Sequence, residues 1–132
     1  MKPLILSMCT LLASAVIGGC SSLEVPSSSL AADWQAYGLE HGQKGWVKLT
    51  QERMGELDNN QVFTADLYQA YTDGYEQGRD AYCEQSAFEL GLSGATYLGV
   101  CDYKDPKYYQ KYVSGQTAAE WGYNANTHGS YY

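Results

Sequence analysis

Basic residues are scarce in this chain: Lys and Arg number 8 against 15 Asp plus Glu, a net charge of −7. A surface of that sign repels nucleic acid and anionic lipid headgroups, so nucleic acid is not a partner. Phenylalanine and proline are also rare, with two and three copies. There is no Cys-x-x-Cys, and only His41 and His128, far apart in sequence, can offer imidazole, which argues against a thiol-redox or metal centre. A phosphate-binding glycine loop is missing as well. The one long apolar run, Leu4 to Ile17, is too short for a comfortable membrane span and ends in glycines instead of a charged flank. What the chain has in quantity is tyrosine and glycine, 13 and 14 copies in 132 residues. A hydrophobic content of 45% is ample for a core, and the length suits a single domain.

Met1-Lys2-Pro3 supplies a positive start, the apolar run follows, and Gly18-Gly19 supplies the small residues that signal peptidases need, so residues 1–19 read as an export signal. Ile17-Gly18-Gly19-Cys20 resembles the lipobox of bacterial lipoproteins, in which a thiol accepts diacylglycerol. Cys20 then becomes the lipid-bearing (palmitate-type) first residue, and the covalent lipid is the only non-protein group expected. Several acyl chains anchor firmly because each buried methylene contributes about 0.8 kcal/mol. Loss of a leader containing Lys2 leaves seven basic residues against the same 15 acidic ones, a net charge of −8. By the same resemblance, Ser21 after the lipidated cysteine implies forwarding to the outer membrane, with the domain facing the periplasm. Residues 20–32 are Ser-rich and without apolar periodicity, which predicts a flexible tether.

Residues 33–123 form the expected helical envelope domain, and 124–132 a polar, aromatic tail. Asp33 can cap a helix from Trp34 on which Trp34, Tyr37, Gly38, His41, Gly42 and Gly45 share a face. Lys48 to Gln61 predicts a short helix or loop. Thr64 can cap a stronger helix to about Cys83, carrying a stripe of Tyr68, Tyr71, Tyr75 and Tyr82 beside small residues that include Gly74 and Gly78. A short helix or turn around Phe88, a turn at Gly91–Gly94, and an extended Ala95 to Val100 suited to a small hairpin edge come next. Asp105-Pro106 signals a third long helix to about Trp121. An aromatic residue three positions ahead of glycine recurs at Tyr71/Gly74, Tyr75/Gly78, Phe88/Gly91 and Tyr112/Gly115, which predicts rings and glycines interlocking between helices. The fold class is therefore mainly α, a three- or four-helix assembly with Gly/Tyr-rich packing and one short hairpin at most. The rival reading of Tyr68, Tyr71, Tyr75 and Tyr82 is an exposed aromatic binding surface for glycan; helical spacing favours the core.

With Cys20 alkylated, Cys83 and Cys101 remain as a pair in an oxidising compartment, and a disulfide between them follows. Convergent chemistry is hard to find. Ser93, in Gly-Leu-Ser-Gly-Ala, is one residue out of step with a nucleophile elbow. His41 and Glu40 are neighbours that point apart on a helix. Asp73, Glu76, Asp80 and Glu84 are spaced for a carboxylate pair or a calcium site, yet a solvated helix face explains them equally.

Asp33-Trp34 with Gly38 and Gly42, then Gly74-Tyr75-x-x-Gly78 leading into Cys83, then Phe88-x-x-Gly91-Leu92-Ser93-Gly94 leading into Cys101, resembles domain of unknown function 2799, the YfiL-like bacterial lipoproteins. The resemblance implies an envelope lipoprotein with the Cys83 and Cys101 pair, and no activity. The family pattern has an acidic residue between the first glycines where this chain has His41, so no acidic function carries over. The expectation is a non-enzymatic domain, lipid-anchored at the outer membrane, with a structural or protein-interaction role toward an envelope protein or the cell wall. The alternatives are a peptidoglycan- or glycan-binding module and an acidic inhibitor of a cationic hydrolase.

Overall fold

The computed structural model describes residues 24–122; the leader, Cys20 and the tail lie outside them. Within that span the chain forms α1 (Ala31–Gln43), α2 (Gln51–Leu57), α3 (Ala65–Tyr82), α4 (Ala87–Leu92) and α5 (Tyr108–Glu120), with no strand among the described residues. Side chains cap three of the five. Thr64 Oγ1 accepts from the Leu67 N–H at 3.3 Å, Thr50 Oγ1 from Arg53 N–H at 3.2 Å, and Ser86 Oγ from Glu89 N–H at 3.3 Å, each satisfying an orphan donor of the first turn. Asp33 lies inside the first turn of α1 instead of capping it, because the helix starts at Ala31. In place of the N-cap expected of Asp105, residues 105–107 form a turn in which Asp105 Oδ1 accepts from Lys107 N–H, and α5 opens at Tyr108.

The fold has two lobes. In the first, α1 and α3 cross in parallel. A side-chain carbon at Gly38 would lie 2.1 Å from the Tyr71 carbonyl oxygen and one at Gly42 2.3 Å from that of Tyr75; reciprocally, Gly74 and Gly78 face the oxygens of Gln35 and Leu39 at 2.0 and 2.1 Å. Each oxygen belongs to the residue three positions before a glycine on the opposite helix, so the two backbones touch through mutual Cα–H···O contacts. Any side chain at these four positions would wedge the helices apart. The second lobe repeats the device once, where α4 meets α5: a side-chain carbon added at Gly91 would lie 2.0 Å from Tyr112 O, and one at Gly115 2.0 Å from Phe88 O. The aromatic-x-x-Gly spacing thus places the carbonyl of the aromatic residue, more than its ring, into the opposing notch.

The rings fill what the crossings leave open. Trp34 and Tyr71 are wholly buried with Met54, Leu67, Tyr75 and Val25 in the first core; Tyr97, Tyr108, Tyr112 and Ala87 surround the Cys83–Cys101 disulfide in the second. The disulfide ties the end of α3 to the loop before α5, so the second lobe is held to the first at the Tyr82-Cys83 junction. Val25 falls in the segment read as tether, yet it is packed in the core, and Trp34 Nε1 donates to Ser28 O at 2.7 Å. The packed part therefore begins ahead of Asp33. No hairpin forms at Ala95–Val100. There Tyr112 Oη donates to Ala95 O, Tyr97 Oη accepts from Cys101 N–H and Asp102 N–H donates to Gly99 O, and Gly99 at φ 79° turns the chain before a strand can extend.

Candidate functional site

The tyrosine stripe of α3 faces inward. Tyr71 and Tyr75 are buried, while Tyr68 and Tyr82 are half-buried. After α1 the chain turns at Lys44-Gly45 and returns along α3 in extended form, and the tyrosine hydroxyls bind that return segment. Tyr75 Oη donates to Trp46 O at 2.9 Å, Tyr71 Oη accepts from Leu49 N–H at 3.0 Å, and Tyr68 Oη donates to Leu49 O at 3.2 Å. Burial pushes the Tyr71 and Tyr75 hydroxyls above their ordinary pKa. The Tyr82 ring lies over Gly45. These rings form a ladder of anchors for residues 46–49, and Tyr71 in particular offers no face to a ligand.

His41 belongs to the same interior. It is 3% exposed, its ring lies 4.9 Å from that of Trp46, and its Nε2 is 3.2 Å from Val47 O. A carbonyl can only accept, so Nε2 carries the proton, and the buried Nδ1 has no partner. Desolvation holds the imidazole pKa below its ordinary value, and the ring stays neutral. Position 41 is a packed hinge between α1 and the return segment, with no water-facing nitrogen to abstract a proton. The carboxylates of α3 and of Glu84 just beyond it do not converge. Asp73 accepts from Gln69 Nε2, Asp80 from the Tyr103 hydroxyl, and Glu84 pairs with Lys104, all on the exposed side. Ser93 Oγ donates to Leu90 O at 2.7 Å as a turn residue. Among the described residues no group of three or more His, Cys, Asp or Glu is placed to hold a metal ion, and no helix is long and apolar enough to cross a membrane.

Two clefts among the described residues bear on function. The larger, about 410 Å³, lies between Phe88, Tyr108 and Lys111 in the second lobe, and two of its charges are already paired, Lys111 with Asp105 at 2.6 Å and Lys104 with Glu84. The other, about 300 Å³, lies where the lobes meet and is walled by Val47 and Lys48 of the return segment, Arg79 of α3, and Leu98, Val100 and Tyr103 of the loop before α5. Here apolar side chains are displayed: Val47 is 57% exposed, Leu98 48% and Tyr103 55%. The Arg79 guanidinium stacks on the Tyr103 ring, 3.8 Å from its centroid. The Tyr103 hydroxyl donates to Asp80 Oδ1, and chiefly this hydrogen bond, helped by Arg79, lowers the Asp80 carboxyl pKa. Sequence reasoning did not find this cleft. Its walls come from three segments far apart in the chain, and the available signal was the presence of Val47 and Leu98 outside any periodic face.

The family model for a protein of unknown function, DUF2799, matches residues 33–117. The chain belongs to the DUF2799 family. The match spans both glycine crossings, the disulfide and the residues that wall the interlobe cleft; it starts after Cys20. No curated protein and no solved structure matches the chain.

Proposed function

We propose that this DUF2799 protein is a bacterial envelope lipoprotein, anchored at the outer membrane through acylated Cys20, whose periplasmic domain acts without catalysis by docking another envelope protein. The observation that carries the reading is the interlobe cleft. A domain that buries Trp34 and Tyr71 completely leaves Val47, Leu98 and Tyr103 exposed around one concavity, and apolar surface grouped in this way marks interaction sites. His41, the residue best suited to acid–base work, is sealed in the core, which favours binding over chemistry.

A photoreactive amino acid at position 98, introduced in cells, tests the docking role. A discrete adduct with one envelope protein, lost when Val47→Asp is added, is expected; adducts that ignore Val47→Asp, or none, would refute it. Radiolabelled palmitate tests the anchor: incorporation should vanish in Cys20→Ser, and an unlabelled wild-type chain would remove the address. A second reading, glycan binding, draws on the exposed Tyr103 ring beside Asp80 and Arg79. Sedimentation with purified sacculi that Tyr103→Ala abolishes would favour it over docking.

A further inference from the structure

The interlobe cleft carries charge of the opposite sign to the rest of the chain. Its walls hold two cations, Lys48 and Arg79, and no carboxylate, whereas the whole chain is at −7. Arg79 has five N–H donors. Its one ion pair among the described residues, to Asp80 Oδ1, is 3.4 Å long, well beyond the usual charge-assisted distance, and its Nε is buried without a partner. The Tyr103 ring lies against the guanidinium plane, so the terminal Nη–H donors, unlike the buried Nε–H, are held at fixed orientation at the cleft. Lys48 makes no ion pair among the described residues; its ammonium lies 5.8 Å from the centroid of the Tyr68 ring. Asp80, at the rim, cancels one positive charge but spends its carboxylate on the Tyr103 hydroxyl, which leaves a local excess of one cation. Val47 and Leu98 face the same concavity.

Taking the docking role above as its basis, we propose that the cleft binds an acidic, aliphatic peptide segment of the partner: a carboxylate held by Arg79 in the positive field of Lys48, and the neighbouring aliphatic side chain seated between Val47, Leu98 and Tyr103. A cleft of about 300 Å³ is at the small end of ligand sites, with room for a side chain or two and not for paired acyl chains. One face of Tyr103 is already covered by Arg79, which removes the platform a sugar would need on that side.

The full chain in detergent, titrated with fluorescein-labelled Ala-Leu-Glu-Leu-Glu-Ala, tests the assignment by anisotropy. Expected is micromolar binding that weakens roughly tenfold or more when Gln replaces Glu in the peptide, when Ala replaces Leu, and in the surface variants Lys48→Glu and Leu98→Asp. Lys48→Glu should in turn prefer the peptide with Lys in place of Glu, a reversal that mere structural damage would not produce. Equal affinity for the Glu and Gln peptides, indifference to both variants, or no binding up to about 1 mM overturns the assignment. If the peptide fails while the position-98 adduct in cells persists, the ligand chemistry is wrong and the docking role stands; loss of both defeats both.

Discussion

Replacing Gly74 by alanine is the sharpest test of the glycine crossing. The new methyl carbon would sit 2.0 Å from the Gln35 carbonyl oxygen and 3.0 Å from the Leu39 nitrogen. A carbon–oxygen contact is comfortable at about 3.3–3.6 Å, so α1 and α3 must separate by roughly 1.3 Å. Both obstacles are backbone and cannot rotate away. Separation weakens the four reciprocal Cα–H···O contacts, at about 0.5–1 kcal/mol each, and loosens the rings packed against them; overpacking alone costs about 1–3 kcal/mol. Alanine returns about 1 kcal/mol of helix propensity. The net expectation is a loss of about 3 kcal/mol, read in urea as a midpoint 1–3 M lower at an m-value of about 1–3 kcal/mol/M. Gly55→Ala provides the control, since the nearest atom to its new methyl is Phe63 Cδ1 at 3.9 Å. It should leave stability unchanged or raise it by up to about 1 kcal/mol. A Gly74→Ala protein that unfolds at or above the wild-type midpoint would show that the helices do not touch through their backbones.

Three further outcomes follow from the same geometry. The folded-state pKa of His41 lies below its unfolded value, so its contribution to stability is fully present above about pH 6.5 and is lost as pH falls from there toward the lowered value; urea midpoints should decline from pH 7 to pH 5, and His41→Gln should flatten that decline. Tyr71→Phe removes the acceptor of the Leu49 N–H and should cost about 1–3 kcal/mol by chemical denaturation, with the mean residue helicity by circular dichroism unchanged. Replacing Cys83 and Cys101 together by serine opens a link between residues 18 apart in sequence and should lower unfolding stability by about 3 kcal/mol; reducing agent should then have no further effect on the variant.

Helix content, the caps at Thr64 and the Cys83–Cys101 pairing were legible because each rests on local chemistry or on counting. The aromatic-x-x-Gly repeat was legible as a pattern, and its mechanism less so: rings were expected in the notches, and carbonyl oxygens occupy them, a distinction that depends on how closely two helix axes approach. The hairpin edge at Ala95–Val100 failed because β-propensity at Thr96-Tyr97-Leu98 has no neighbouring strand to act on. Val25 was misplaced in the tether because one apolar residue among serines has no periodicity to reveal that Trp34 holds its segment down. The stripe of Tyr68, Tyr71, Tyr75 and Tyr82 was read on the correct face of α3, but its hydroxyl partners, 46–49, are set by the path of a non-helical return segment. The interlobe cleft depends on the angle between two helix pairs, which no spacing encodes.

The parallel course of α1 and α3 also fixes a standoff. Ala31 and Ala65 lie at one end of the crossing, Gln43 and Tyr82 at the other, and α3 at 1.5 Å per residue is about 27 Å long. The second lobe, which follows Tyr82, therefore begins a helix length away from the end at which α1 starts. Arg79, one turn from the far end, rides at the tip of that lever.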